Sequence, residues 1–147
     1  MGLCPVSSNV HIPDGQRLLD LPYPKAIENP APSFISTAIR PPDQIIQPYE
    51  FGDDASKGTG LWLDRVPPLE GTKRIPGRLI NGRERWSNQT DSGQNRLSPG
   101  KSRWLERSKT FPGIAAATGD QWGRYLVSVN RNPNLPLDPQ NQLVQLN

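Results

Sequence analysis

The sequence predicts an α/β fold of short strands, a peripheral β-hairpin and a C-terminal helix, joined by Pro- and Gly-rich loops. Three observations predict it. Residues 44–51 set Ile45, Gln47, Tyr49 and Phe51 against Ile46, Pro48 and Glu50, the two-residue period of a strand. Asn81-Gly82 sits between two short β-prone runs, as in a type I′ hairpin turn. After Pro112, the residues Ile114, Thr118, Trp122 and Tyr125 recur at steps of three or four and mark one stripe of a helix. Hydrophobic residues make up only 33% of the 147, while Pro contributes 17 and Gly 13, so the core is thin and much of the chain is turn and extended connection. A single domain over residues 15–126 is expected, with a loose arm at 1–14 and an extended or disordered tail at 127–147.

Each element has a local reason. Asp14 can cap a short helix over residues 15–20, which Pro22 and Pro24 stop before a strand at 25–28. One or two helical turns follow over 33–39, ended by Pro41-Pro42. In the strand at 44–51, Pro48 cannot donate to a ladder and belongs at an edge or bulge. Gly52-Asp53-Asp54 turns the chain, and residues 59–63 return as a second strand with Leu61 and Trp62 on opposite faces, making a hairpin whose loop holds Lys57. Val66-Pro67-Pro68-Leu69 reads as a rigid spacer. Residues 78–86 form the Asn81-Gly82 hairpin, whose arginines and Trp86 suit either nucleic-acid contact or an edge charged against self-association. Ser98 as N-cap and Pro99 as first residue start a helix running to Arg107, with Trp104 and Leu105 on the core and Arg103, Arg107 and Lys109 outward. The last helix covers 112–126, weakened at Gly119 by about 1 kcal/mol relative to Ala.

Composition excludes several classes. One cysteine, Cys4, and one histidine, His11, leave no disulfide framework and no Cys- or His-based metal centre, so no metal site is expected. No apolar run approaches a membrane span and no secretory start is seen, and Val6 stands where an acylation signal needs Ser or Thr, so a cytoplasmic location is expected. Charge is uneven. Residues 71–110 hold ten cations against three anions, a net +7 that leaves the rest at −4 in a chain of +3. Interleaved with Trp86 and Trp104, this concentration points to a phosphate backbone, the alternative being a solvated basic face.

Several segments carry a family resemblance. Ile27-Glu28-Asn29-Pro30, then Ile46-Gln47-Pro48-Tyr49-Glu50-Phe51-Gly52 with Ser56-Lys57 and Leu61-Trp62-Leu63, stand in that order. They are followed by Asp91-Ser92-Gly93-Gln94-Asn95-Arg96, by Arg107-Ser108-Lys109-Thr110-Phe111-Pro112-Gly113-Ile114-Ala115, and by Gln121-Trp122-Gly123. Together, over roughly residues 18–123, they resemble the C-terminal half of phage and prophage DNA methyltransferase-like proteins. The resemblance implies a partial Rossmann-like methyltransferase sheet in a bacterial host cell. It implies that Glu28 and Asn29 contact a target base, and that Gln47, Lys57, Ser92, Asn95, Arg96, Arg103, Arg107 and Lys109 face nucleic acid. A base drawn out of the stack must be read on its Watson–Crick edge by fixed donors and acceptors, which suits a Glu-Asn pair at a strand end.

The family's S-adenosylmethionine-binding half has no counterpart in the 27 residues before Glu28, since one strand–helix–strand unit alone takes about 30. No cofactor is therefore expected for this chain alone. Three readings stay open: a methyltransferase subunit needing a second chain, a DNA-binding derivative without independent catalysis, and a phage-encoded interaction or inhibitor protein. An uncovered sheet also leads to the expectation of a homodimer or a second methyltransferase-like chain as partner.

Overall fold

One central strand organises the molecule. In the computed structural model, which describes residues 17, 20–31, 33–97, 100 and 103–131 without the side chains of Phe34, Trp104 and Arg107, β3 (Thr59–Asp64) lies between β1 (Lys25–Pro30) and β2 (Gln44–Ile46). Both neighbours run antiparallel to it, with Lys25 opposite Asp64 and Pro30 opposite Thr59 on one side, and Gln44 opposite Leu61 and Ile46 opposite Thr59 on the other. Being central, β3 buries both faces: Leu61 is 2% exposed and Trp62, pointing the other way, 1%. Around this sheet stand α1 (Phe34–Ala38), a two-stranded hairpin of β4 (Arg78–Ile80) and β5 (Arg83–Arg85), the short α2 (Arg103–Ser108), and α3 (Pro112–Arg131). The architecture is thus mixed helix and strand, with two small antiparallel sheets and one long C-terminal helix. The arm at 1–14 with Cys4 and His11, the full extent of the first expected helix, the Ser98-Pro99 helix start and the tail beyond Arg131 lie outside the described residues. Among the described residues no helix is long and apolar enough to cross a membrane, and no group of three or more His, Cys, Asp or Glu is placed to hold a metal.

The core is small and built from distant segments. Ile46, Phe51, Leu61, Leu69, Ile114 and Ala117 form one buried cluster, with Leu63, Phe111 and Trp122 packed on it. Ile114 and Ala117 come from the predicted stripe of α3 and its neighbouring position, and the helix is seated by Asp53, whose carboxylate accepts from Gly113 N at 2.9 Å. An acidic group at a helix N-terminus satisfies an otherwise orphaned N–H and meets the positive end of the dipole. Gly113 is required there, because a Cβ would collide with the Phe51 carbonyl oxygen.

Four expectations are corrected. The strand expected over 44–51 ends at Ile46, and Pro48–Glu50 form a 3-10 turn. Gln47 and Glu50 make a reciprocal capping box, with Gln47 N donating to Glu50 Oε2 at 2.7 Å, and Pro48 supplies the first helical residue. Residues 66–69 are no spacer: Val66 and Leu69 are buried, and Trp122 Nε1 donates to Pro67 O at 2.8 Å. The last helix runs to Arg131, five residues into the expected tail, since no breaker occurs before Asn132-Pro133. Trp86, expected as a contact residue on the hairpin, is buried, stacks on Tyr49 and donates Nε1 to Ile75 O at 3.0 Å. The hairpin turn itself is as expected, with φ of 49° at Asn81 and 75° at Gly82, the left-handed pair of a type I′ turn.

With so little apolar surface, side-chain amides and indoles hold the connections. Gln44 pairs with the backbone of Leu69 in both directions, Nε2 to O at 2.8 Å and N to Oε1 at 2.9 Å. Gln121 does the same to Glu70, both bonds at 2.8 Å. Asn88 does it to Ser56, at 2.9 and 2.8 Å. Each amide stands in for one residue of a neighbouring strand, so an extended segment is satisfied without a ladder.

Candidate nucleic-acid interface

Four segments, most of them far apart in sequence, meet around a cleft of about 440 Å³. Pro30 and Ala31 bring the end of β1; Ser56, Lys57 and Gly58 bring the loop before β3; Asn88 and residues 95–97 bring the loop after β5; and Glu106 and Phe111 close it from α2 and the approach to α3. The β1 end is tied to the second segment by Ala31 N donating to Gly58 O at 2.9 Å.

The loop before β3 is held from two sides. Gln47 Oε1 accepts from Lys57 N at 2.9 Å and from Ser56 Oγ at 3.4 Å, while Asn88 grips the Ser56 backbone. Asn88 also accepts Arg96 N on its own carbonyl at 2.9 Å, so one residue fixes Lys57 and Arg96 relative to each other. Beyond it the chain makes a closed turn, with Thr90 N donating to Gln94 O at 2.8 Å, Gln94 N donating to Thr90 Oγ1 at 3.0 Å, and Gly93 at φ 89°. That turn is stapled by Arg78, whose guanidinium donates to Trp86 O, Gln89 O and Asp91 Oδ1 at 3.0, 2.8 and 2.9 Å.

Of the residues expected to face nucleic acid, Lys57, Asn95 and Arg96 line the cleft. Lys57 Nζ lies 5.9 Å from the centroid of the Phe111 ring, and Arg96 is exposed with no carboxylate partner among the described residues. Asn95 is exposed; its Oδ1 accepts from Leu97 N at 2.8 Å, which leaves its Nδ2 as a donor toward solvent. Gln47 acts behind the wall, its amide oxygen engaged as described. Glu28 stands beside the rim, its Oε2 accepting from Thr110 Oγ1 at 3.3 Å, and Asn29 is half-buried in β1. Both lie inside the β1–β3 ladder, opposite Leu61 and Gly60, because the strand continues to Pro30 and does not end at Glu28.

Ser92 is on the far turn, sharing a hydrogen bond with Thr90 Oγ1 at 2.9 Å, and does not line the cleft. Lys109 pairs with Glu106 at 2.7 Å, while Asp91 and Asp120 take Arg78 and Arg124. Arg103 is half-buried on α2 and outside the lining, and the Arg107 side chain is outside the description.

Sequence reasoning did not single out Asn88, and Phe111 entered it only as one residue of the segment from Arg107 to Ala115. No local pattern marks Asn88, since its partner Ser56 is 32 positions away. Among the described residues that line it, the cleft brings together Lys57, Arg96, the Glu106 carboxylate, the Asn95 amide and the Phe111 ring, and the one hydroxyl among them, Ser56 Oγ, is directed to Gln47. That inventory suits holding an anionic, planar ligand, and among the described residues it contains no activated nucleophile beside a base. No family model matches this chain, and neither a curated protein nor a solved structure shows significant similarity to it.

Proposed function

We propose that this chain binds DNA through the cleft and has no catalytic activity of its own, as the target-facing half of a methyltransferase-like protein. The observation that carries the reading is the convergence of Lys57, Asn95 and Arg96, from loops separated by about 40 residues, on one recess beside the end of β1. Phosphate contacts by Lys and Arg supply the affinity in such sites, and amide and aromatic groups engage the base. Kinship with a Rossmann-like methyltransferase is part of the proposal. Doubly wound sheets carry antiparallel pairing at an edge, and on this reading β1, β2 and β3 form such a margin, with the parallel, cofactor-binding part supplied by another chain or segment.

The test is an electrophoretic mobility shift on DNA over a range of salt concentrations, with Lys57→Ala and Arg96→Ala alongside. Binding that weakens with salt and weakens further in both variants is expected. Retention of full binding by both variants moves the interface elsewhere, and absence of binding at low salt removes the DNA reading in favour of a protein-interaction role. Isothermal calorimetry with S-adenosylmethionine is expected to show no micromolar binding to the isolated chain.

A further inference from the structure

We propose that the free edge of β1 pairs with the same edge of a second copy of this chain, joining two three-stranded sheets into one across a two-fold axis at Ile27. The proposal stands apart from the nucleic-acid reading of the cleft.

The first argument is which hydrogen-bonding groups β1 leaves unused. Ala31 N donates to Gly58 O at 2.9 Å, which continues the β1–β3 register as a hydrogen-bonded pair. Bonded and non-bonded pairs alternate along an antiparallel ladder, so Lys25, Ile27 and Asn29 turn their backbone groups to β3, while Ala26, Glu28 and Pro30 turn theirs away. β3 keeps the same phase on its other side, where Asp43 N donates to Leu61 O at 2.8 Å and Leu63 N to Asp43 Oδ2 at 2.6 Å. The outward backbone groups of β1 meet no partner among the described residues. The opposite edge differs: β2 is only three residues long, and Gln44 ties it to Leu69. Sheet edges are guarded by charge, proline or short length. On β1 the lysine, Lys25, is turned onto Asp64, and Pro24 and Pro30 stand only at the two ends.

The second argument is symmetry, and it selects the occupant. Pro24 and Pro30 lack an N–H, so the donors of this edge are Ala26 N and Glu28 N, placed evenly about Ile27. An antiparallel copy centred on Ile27 sets Ala26 against Glu28 in both directions, so that every donor on both copies meets a carbonyl. It also sets Ile27 against its own copy, on the sheet face where Trp62 lies directly opposite on β3, and the apolar strip of that face runs on across the axis. A register centred on Glu28 instead opposes two carboxylates. The start of each β1 then lies beside the end of the other. There Tyr23, 67% exposed, and Leu21 come beside the partner's Pro30 and Ala31, at the mouth of its cleft.

The experiment is sedimentation of the intact chain between about 1 and 300 µM, with backbone amide exchange followed by NMR over the same range. A monomer–dimer equilibrium with a dissociation constant on the order of 10–100 µM is expected, weak because one strand pair buries little surface. The N–H groups of Ala26 and Glu28 are expected to gain protection as concentration rises, while those of Ile27 and Asn29 are protected throughout. Ala26→Pro removes an outward donor and no bond of the β1–β3 ladder, so it is expected to fold and to weaken association at least about ten-fold. Amide exchange in the parent tests the pairing even where that variant fails to fold. A monomer at every concentration overturns the proposal, whether Ala26 and Glu28 exchange freely or are covered by the chain's own residues. So does a dimer that Ala26→Pro leaves intact, which places the contact on another surface. Each of these outcomes leaves the DNA reading to its own mobility-shift test.

Discussion

Trp86 lies flat against Tyr49, with ring centroids 4.0 Å apart and planes within 8° of each other. Arg74 lies over the same tyrosine at 5.6 Å while its guanidinium is bonded to Glu84, so the hairpin is fastened to the 3-10 turn by an aromatic stack and a cation together. The residue that by composition resembled a nucleic-acid contact is a structural anchor. Trp86→Ala is expected to lower the unfolding free energy by about 3–5 kcal/mol, as for other buried large-to-small changes. Trp86→Phe keeps a ring on Tyr49 but loses the bond to Ile75 O and part of the buried indole, a loss of about 1–3 kcal/mol. Urea titration of both variants measures the difference.

The seat of α3 gives a second prediction. Asp53 Oδ2 accepts from Gly113 N, and a Cβ on residue 113 would meet that same oxygen at 2.7 Å as well as the Phe51 carbonyl. Backbone cannot move aside as a flexible side chain can, so Gly113→Ala is expected to destabilise by about 1–3 kcal/mol, the reverse of the usual gain from replacing a helical glycine. Asp53→Ala, which only removes the cap, is expected to cost about 1 kcal/mol. Thermal unfolding of the two variants orders them.

Acid sensitivity is expected from the sheet ends. Lys25, hydrogen-bonded to Asp64, with Arg65 at 3.3 Å, holds the Asp64 carboxyl below its usual range. Burial raises the pKa of Asp43, but Arg40 and the Leu63 N–H together outweigh it and hold this carboxyl low as well. A carboxyl whose folded pKa is depressed contributes stability that is fully present above its unfolded value. That contribution is lost as pH falls through the folded value. Stability is therefore expected to decline below about pH 4. Asp64→Asn should be less stable than the parent at pH 7 and indistinguishable from it near pH 2, in urea titrations at both pH values.

Elements governed by short-range chemistry were legible in the sequence. Asn81-Gly82 specifies its turn because both positions need positive φ, α3 follows from its periodicity, and β3 reads as the strand that returns after the Gly52-Asp53-Asp54 turn. The end of β2 was not legible, because an alternating pattern continues through Tyr49 and Phe51 while a capping box, with Gln in place of the usual Ser or Thr, turns the backbone at Gln47. The fate of the cations was hidden for a similar reason: Arg78 finds its acceptors only once the hairpin has folded against the 86–91 loop. Of the cleft, Lys57, Asn95 and Arg96 were singled out in the sequence, but what brings their loops together is Asn88, whose side-chain amide holds Ser56 and whose carbonyl receives Arg96 N.

Asn88 is where fold and cleft are joined, and it gives the last prediction. Its side chain satisfies both the N–H and the C=O of Ser56, next to Lys57, and its carbonyl receives the Arg96 amide. Asn88→Asp keeps an acceptor for Ser56 N but places a second oxygen against Ser56 O, so a donor is lost and two acceptors are opposed. Asn88→Ala leaves both backbone groups of a half-buried residue without this partner. Each variant is expected to lose about 1–3 kcal/mol in urea unfolding. Because neither changes the cationic groups at the cleft, both should weaken oligonucleotide binding through misplacement of Lys57 and Arg96 while leaving the salt slope as in the parent, apart from the added negative charge in Asn88→Asp. Loss of stability with binding fully retained would show that the 56–58 loop and the 95–97 loop do not have to be held together for the cleft to work.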